Sequence, residues 1–230
     1  MDHYRYLSNL DLFPEKHVQY LEILKKKYQF EPKVVYDIGA CVGHWVKKAR
    51  MIWPNSKYYL FDGLDEIEFL YTSMMEADII EEYHIGVLSD NIKTVEWYQN
   101  DEHPSGSSYY REIGNSVPFV SKTKKTNTLD NIVNTRKFPL PDMIKIDVQG
   151  SEIDLLKGAK DVIKSCIVII VELQHEQYNS GAYLSNEAKL LIENMGFTCI
   201  ADKFQNNGPD ADYCFVNNKD VGNFLLKNYI

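Results

Sequence analysis

The feature that most constrains this chain is a short apolar run that leads into two glycines, residues 34–43 with the sequence VVYDIGACVG. Its β-branched and aromatic residues are typical of a buried parallel strand. Gly39 and Gly43 allow the backbone to turn sharply and to approach a ligand closely. Residues 44–53 carry apolar side chains at helical spacing, and Pro54 predicts the end of that helix. Strand, glycine turn and helix together predict the first unit of an α/β nucleotide-type fold.

The acid within this run indicates which ligand the turn would bind. A dinucleotide-binding turn would place glycines at positions 39, 41 and 44, but this chain has Cys41 and His44. An acid two residues before the first glycine instead suits S-adenosylmethionine, whose ammonium and sulfonium groups are cationic. The alternative is an α/β crossover without a ligand, in which the buried acid needs another partner. The predicted cofactor-binding residues of the turn are Asp37, Gly39, Ala40 and Gly43.

A second strand, residues 57–61, ends in Asp62. Nucleotide sites of α/β proteins place an acid at this strand end, where it accepts hydrogen bonds from the ribose hydroxyls. The alternative is an ordinary solvated turn residue. We therefore add Asp62 to the predicted cofactor-binding residues.

The remaining elements continue the alternation of strands and helices. The sequence predicts helices at residues 14–30, 65–77, 151–163 and 185–195, and strands at 83–88, 143–148, 166–173, 197–202 and 212–217. This order predicts a Rossmann-like, doubly wound, mostly parallel sheet with an antiparallel hairpin at its C-terminal edge. We expect a single domain over residues 1–230, with an N-terminal helical extension at 1–30.

Residues 89–127 break this alternation. Residues 94–98 and 117–120 could form extra strands, and residues 100–115 are rich in Gly, Ser, Pro and Tyr. A long polar loop inside a domain is usually functional or mobile. We expect a mobile flap that contacts the acceptor; a plain linker is the alternative. The polar side chains that would suit a hydroxylated substrate are His103, Ser107, Ser108, Tyr109 and Tyr110.

Composition and charge exclude several classes of partner. The 230 residues are 44% hydrophobic and 25% charged, as in ordinary globular proteins. The net charge of −8 argues against a nucleic-acid partner, which needs a basic face. The apolar run at residues 167–171 is far too short for a membrane span, and we find no signal peptide pattern. Cysteines 41, 166, 199 and 214 lack metal-type spacing and indicate reduced thiols in a cytoplasmic protein.

Five short motifs along most of the chain resemble the FkbM family of S-adenosylmethionine-dependent methyltransferases. They are YDIGACVG at 36–43, TLD at 128–130, IKIDVQGSE at 144–152, LKGA at 156–159, and the strand end VE at 171–172. Three positions depart from the family pattern: Cys41 replaces the usual Asn, Gln149 the usual Glu, and Asp62-Gly63 the usual Glu-Pro. The resemblance implies a class I methyltransferase fold and S-adenosyl-L-methionine as cofactor.

The resemblance also implies O-methylation of a hydroxyl on a small-molecule sugar, such as a nucleotide sugar or a surface polysaccharide precursor. Two alternatives remain open: a non-sugar hydroxyl as acceptor, or a catalytically silent scaffold with a methyltransferase fold. The nicotinamide-dependent oxidoreductases require the three-glycine spacing that this chain lacks. A homo-oligomer stays open.

The ends of the fourth and fifth predicted strands carry the candidate catalytic residues, Asp147, Glu172 and His175. Ligands bind at the carboxyl ends of such strands, and an alcohol needs a base or a metal to remove its proton. Two acids and an imidazole suit Mg²⁺ or Mn²⁺, so we expect these residues to act as one unit on the acceptor hydroxyl. The alternatives are that Asp147 pairs with Lys145 and that His175 is a plain base or a loop residue.

Overall fold

The computed structural model describes residues 2–10, 13–99, 103–114 and 119–226. Its helices are α1 (Asp2–Asn9), α2 (Glu15–Lys26), α3 (His44–Ile52), α4 (Glu68–Glu76), α5 (Leu129–Arg136), α6 (Glu152–Lys157), α7 (Ser185–Asn194) and α8 (Asn218–Leu226). Its strands are β1 (Val34–Ile38), β2 (Lys57–Asp62), β3 (Glu82–Ile85), β4 (Val87–Leu88), β5 (Thr94–Gln99), β6 (Val120–Asn127), β7 (Met143–Ile146), β8 (Val168–Gln174), β9 (Phe197–Asn206) and β10 (Asp210–Asn217). Short 3-10 turns lie at Asp65–Ile67, Pro104–Gly106 and Val162–Lys164.

A seven-stranded sheet in the order β3-β2-β1-β7-β8-β10-β9 forms the centre of the molecule. Strands β3, β2, β1, β7 and β8 are parallel, whereas β10 runs antiparallel to both β8 and β9. The predicted doubly wound sheet with an antiparallel C-terminal hairpin is therefore confirmed. Strand order reverses between β1 and β7, and open α/β sheets bind ligands at this point.

The apolar strands are buried on both faces, because helices cover both sides of the sheet. Successive residues of β1, Val35 and Tyr36, belong to separate hydrophobic clusters on opposite faces. Leu60 and Phe61 of β2 divide in the same way. Side chains of a strand alternate between faces, so each strand contributes to both layers of the core.

A buried histidine ties the N-terminal helices to the sheet. His17 of α2 lies 2.7 Å from the carboxylate of Asp212 through Nδ1, and its Nε2 lies 2.9 Å from the indole nitrogen of Trp45. An indole can only donate, so Nε2 accepts and Nδ1 carries the proton. This contact fixes α2 against α3 and β10.

The region between β3 and α5 forms a second sheet of three strands in the order β4-β6-β5. The predicted strand 83–88 is divided at Gly86, and its last two residues, β4, pair with β6 instead. The predicted strand at 94–98 is confirmed as β5. The other predicted extra strand, 117–120, lies partly outside the described residues, and β6 begins only at its last residue.

The helix predicted over residues 151–163 is wrong in its length. α6 ends at Lys157, and a separate 3-10 turn follows at Val162–Lys164. At Gly158 the chain passes so close to the backbone of Ser89 that an added Cβ would lie 2.0 Å from the Ser89 carbonyl oxygen. Long-range packing therefore ends the helix where the apolar periodicity alone would continue it.

No helix within the described ranges is both long and apolar enough to cross a lipid bilayer.

Candidate active site

A cavity opens at the carboxyl ends of β1, β2, β4 and β7, where the strand order reverses. It encloses about 590 Å³, including the part that is open to solvent. Its walls contain Gly39, Asp62, Asp147 and Gln149, so the first glycine turn and the end of the fourth parallel strand share one cavity.

The turn after β1 is built around Asp62. One oxygen of its carboxylate accepts a hydrogen bond from the backbone N–H of Cys41 at 2.7 Å, and the other accepts from that of Leu64 at 2.9 Å. Burial raises the pKa of Asp62, and these two hydrogen bonds act in the opposite direction. A carboxylate has about four acceptor positions, so this one retains capacity for hydroxyl donors.

Asp37 is fully buried behind this turn. Neither of its oxygens has a hydrogen-bond partner among the described residues, although the ammonium of Lys145 lies 3.7 Å from one of them. Burial raises the pKa of Asp37 to about 6, while the charge of Lys145 lowers it. A buried carboxylate with orphaned oxygens fits a cationic ligand nearby.

The remaining predicted cofactor residues shape the turn. Gly39 has φ +75°, and an added Cβ would lie 1.7 Å from the carbonyl oxygen of Asp147, so only glycine fits there. Gly43, with φ +78°, is the N-cap residue immediately before α3 and lies against Met74. Ala40 is buried, and its N–H donates to the carbonyl of Phe61. Gly39 lines the cavity directly, whereas Ala40, Gly43 and Asp37 lie outside its lining.

Trp97 of β5 is a wall residue that sequence reasoning did not assign to the site. Its indole lies over Gly63, so that a Cβ there would come within 2.5 Å of the ring. The Lys124 ammonium lies 5.4 Å from the ring centroid, and the indole N–H has no hydrogen-bond partner among the described residues. The sequence signal that could have indicated this contact is the Asp62-Gly63 pair, because the absence of a side chain at Gly63 makes room for the Trp97 ring.

Part of the predicted flap, within residues 103–114, forms one wall of the cavity. Pro104, Ser105 and Ser107 line it beside Asp62. The strand-like bridge Tyr98–Ser108 joins the middle of this segment to β5, and the bridge Glu112–Asn179 joins its C-terminal part to the loop after β8. Residues 100–102 and 115 of the predicted flap lie outside the described residues.

The two predicted flap tyrosines point to α6. The hydroxyl groups of Tyr109 and Tyr110 both donate to the same oxygen of Asp154, at 3.0 and 2.9 Å. Burial is the main cause that raises the pKa of both tyrosines, and the charge of Asp154 adds to it. The two hydrogen bonds therefore attach this segment to α6.

Asp147 follows β7 and forms part of the cavity wall. The Lys145 ammonium lies 3.2 Å from one of its oxygens, as one of the sequence alternatives expected. Burial would raise the pKa of Asp147, but Lys145 and the amide of Gln149 outweigh it and lower the pKa. Burial would lower the pKa of Lys145, and the surrounding carboxylates raise it. Asp147 is therefore the ionised, half-buried partner of the buried Lys145.

Glu172 of β8 is the second carboxyl group of this cluster. Asn207 donates to one of its oxygens at 2.9 Å, and Gln149 donates to the other at 3.0 Å. Burial and the charge of Asp147 raise the pKa of Glu172 well above its ordinary value. Two neighbouring acids cannot both ionise easily, and these shifts favour the protonated form of Glu172 and the ionised form of Asp147.

The structure brings Asp147 and Glu172 together but does not add His175 to them. The backbone N–H of His175 donates to the carbonyl of Pro209, and its Nδ1 has no hydrogen-bond partner among the described residues. Among these residues no three His, Cys, Asp or Glu side chains are arranged to hold a metal ion. The proposed ligand set of Asp147, Glu172 and His175 therefore does not fit Mg²⁺ or Mn²⁺.

The comparison with known proteins identifies the family. Residues 11–199 match the Methyltransferase FkbM domain. A hexuronic acid methyltransferase, AglP of Haloferax volcanii, is 34% identical over 73 residues, which is 32% of this chain and 28% of that protein. The chain therefore matches well under half of this relative's length.

Solved structures show the same fold at low sequence identity. A putative O-methyltransferase from Klebsiella pneumoniae is 13% identical with a TM-score of 0.52, over 94% of this chain and 87% of that one. The O-methyltransferase TomG from Streptomyces achromogenes, solved with S-adenosylmethionine, is 10% identical with a TM-score of 0.52, over 90% and 81%. The chain belongs to the FkbM family of methyltransferases and has the class I S-adenosylmethionine-dependent methyltransferase fold.

Proposed function

We propose that this protein transfers a methyl group from S-adenosylmethionine to a hydroxyl of a sugar. The observation that carries the proposal is the position of the ionised Asp147 on the wall of the cavity that Gly39 and Asp62 also line. A proton acceptor and a nucleotide-type turn thus share one space. The curated relative that acts on a hexuronic acid supports a sugar as the acceptor.

The residues in and behind the cavity support this choice of cofactor. Asp62 would accept hydrogen bonds from the ribose hydroxyls with the acceptor positions that Cys41 and Leu64 leave open. The Trp97 ring and the neighbouring Gly63 form a flat wall that suits an adenine ring. Asp37 supplies negative charge behind the turn, which favours a ligand with cationic groups. When bound, S-adenosylmethionine supplies an electrophilic methyl group.

The protein's own chemical task is to orient the acceptor hydroxyl and to take its proton. Asp147 is the group for this task, since Lys145 and Gln149 keep it ionised at the cavity wall. A positioned base of this kind typically contributes 10²–10⁴-fold to a rate. The raised pKa of Glu172 favours its protonated form, which limits the negative charge of the pair. His175 has no part in this arrangement.

A methyl-transfer screen tests the proposal. The purified chain is incubated with S-adenosylmethionine and a panel of hexoses, hexuronic acids and nucleotide sugars, with and without EDTA. We expect methylation of at least one sugar, and we expect it to survive EDTA because the carboxylates are not arranged for a metal. Calorimetry with S-adenosylmethionine provides the other arm: absence of binding would leave the catalytically silent scaffold as the better description.

A further inference from the structure

The contacts of Gln149 explain why the carboxylates do not form a metal site. Its side-chain amide nitrogen lies 2.9 Å from Oδ1 of Asp147 and 3.0 Å from Oε2 of Glu172. An amide NH₂ has two hydrogens, so it can donate to both carboxyl groups at once. The nitrogen thus lies between the two acids, in the position that a cation bridging them would occupy.

Every oxygen of the two carboxyl groups already has a donor from the protein. On Asp147 the second oxygen is 3.2 Å from the Lys145 ammonium, and on Glu172 the second oxygen accepts from Asn207 at 2.9 Å. A divalent cation would have to displace the amide of Gln149 to reach both groups, at the 2.0–2.6 Å that such ions require.

The backbone around Gln149 is also arranged to hold this position. Gln149 has φ +54°, and Gly150 follows with φ +99°. The buried Glu152 accepts hydrogen bonds from the N–H groups of Val148 and Gly150, at 3.1 and 3.0 Å. The hydroxyl of Tyr178 lies 3.2 Å from the Gln149 amide oxygen. The loop is therefore fastened on both sides of the side chain.

We propose that the amide of Gln149 takes the place of a divalent cation between Asp147 and Glu172 and positions the Asp147 carboxylate on the cavity wall. Gln149 is a positioning residue: it acts through Asp147. The consequence for catalysis rests on the proposed methyl transfer, whereas the consequence for metal binding does not. Replacing this one amide by a carboxylate should convert the cluster into a cation site.

Electron paramagnetic resonance of Mn²⁺ provides the direct test, on the full chain without cofactor. We expect wild type and the control Gln177→Glu, which adds the same charge at an exposed position, to leave Mn²⁺ free. We expect Gln149→Glu to bind it at least about tenfold more tightly than wild type. Two results would overturn the proposal: a wild-type Mn²⁺ site that Asp147→Asn removes, or a folded Gln149→Glu that gains no affinity.

Kinetics with an active acceptor separate positioning from a merely structural role. Gln149→Ala should lower kcat about tenfold or more, because Asp147 loses a charge-assisted hydrogen bond, while the S-adenosylmethionine Kd stays within about twofold. Equal losses in cofactor affinity and kcat would contradict the positioning role. If Gln149→Ala does not fold, Gln149→Glu gives the same comparison in EDTA. If no acceptor is ever methylated, the proposed function fails, and the Mn²⁺ spectra still decide the role of the amide.

Discussion

At the scale of single residues, the site depends on buried carboxyl groups that differ in charge because their neighbours differ. Lys145 lies 3.2 Å from Asp147 and 3.7 Å from Asp37, and Glu172 has amide donors only. One ammonium therefore lies close to the acid behind the glycine turn and to the acid on the cavity wall. Because Lys145 is close to both carboxylates, its charge favours the ionised form of Asp37 and of Asp147.

Asp62 has two roles that a substitution should reveal together. Asp62→Ala removes the proposed hydrogen bonds to ribose, each worth roughly 1.5–3 kcal/mol when charged, so the S-adenosylmethionine Kd should rise at least about tenfold. It also leaves the N–H groups of Cys41 and Leu64 without their acceptor, so thermal unfolding should begin at a lower temperature. Asp65→Ala is the matched control, because Asp65 is an exposed acid only three residues further along the chain. An unchanged Kd in Asp62→Ala would place the ribose elsewhere.

Asp37 should make cofactor binding depend on pH. Burial raises the pKa of Asp37 to about 6 in the free protein. A cationic ligand nearby favours the ionised form of this carboxyl group. Affinity should be highest above pH 6 and should fall as the pH decreases through 6, since the proton must then leave on binding. Calorimetry between pH 5 and pH 8 measures this change, which Asp37→Asn should remove. A pH-independent affinity in wild type would show that Asp37 does not sense the ligand.

The same group gives the opposite dependence for stability. The folded-state pKa of Asp37 lies above that of the unfolded chain, so folding favours its neutral form. Its contribution to stability is therefore largest at low pH and is lost as the pH rises through about 6. Below about pH 6, protonation of Asp37 should therefore weaken cofactor binding but increase the free energy of unfolding.

At the scale of elements, the segment 103–114, here called the strap, forms part of the cavity wall. It is held by the hydrogen bonds that two tyrosine hydroxyls donate to Asp154. Replacing Tyr109 and Tyr110 together by Phe should loosen it, because both hydrogen bonds to the carboxylate are lost. We expect faster amide hydrogen exchange over this segment and a higher acceptor KM. Tyr98→Phe, whose hydroxyl contacts the exposed Glu96, is the control. A loss of cofactor affinity instead would assign the strap to the adenosine end of the cavity.

The end of α6 is the other element whose position depends on close packing. Gly158→Ala would bring a Cβ within 2.0 Å of the Ser89 carbonyl oxygen, and backbone there cannot move aside without disturbing β4 and α6. We expect the free energy of unfolding to fall by about 1–3 kcal/mol. Gly222→Ala, in the open interior of α8, should instead be neutral or stabilising by up to about 1 kcal/mol. Equal denaturation midpoints for the two variants would contradict this packing argument.

Much of the parallel sheet could be predicted from the sequence, because its strands are continuous apolar runs between turn residues. The acids at strand ends, Asp62, Asp147 and Glu172, could also be placed, since carboxyl ends of parallel strands meet at one edge. The division at Gly86 and the early end of α6 could not be predicted, because both result from contacts with distant segments. The role of Gln149 depends on the distance between β7 and β8, which no local pattern encodes.

At the scale of the whole molecule, acidic side chains are concentrated where β8 ends and β10 begins. Glu172, Asp210 and Asp212 all lie in this part of the sheet, and Tyr178 donates to Asp210 at 2.7 Å. Burial and the charge of Asp147 raise the pKa of Asp210. The net charge of the chain, −8, has the same sign. An anionic acceptor would therefore approach an unfavourable potential.

This field should separate acceptors by charge. We expect an uncharged hexose derivative to have a lower KM than the matching hexuronic acid, with the difference decreasing as salt screens the charges. Initial rates for the two acceptors at low and high ionic strength measure it. A hexuronic acid with the lower KM at low salt would contradict the expectation and would indicate a cationic contact for its carboxylate.

The central claim is methyl transfer to a sugar oxygen, and isotope-edited NMR tests it most directly. S-adenosylmethionine with a ¹³C-labelled methyl group is incubated with the protein and the acceptors that the screen identifies. We expect a labelled methyl carbon with the chemical shift of a methyl ether and a correlation to a sugar carbon. We also expect Asp147→Asn to lower the rate by about 10²-fold or more while the S-adenosylmethionine Kd changes little. A label attached to nitrogen or carbon, or full activity of Asp147→Asn, would contradict the central claim.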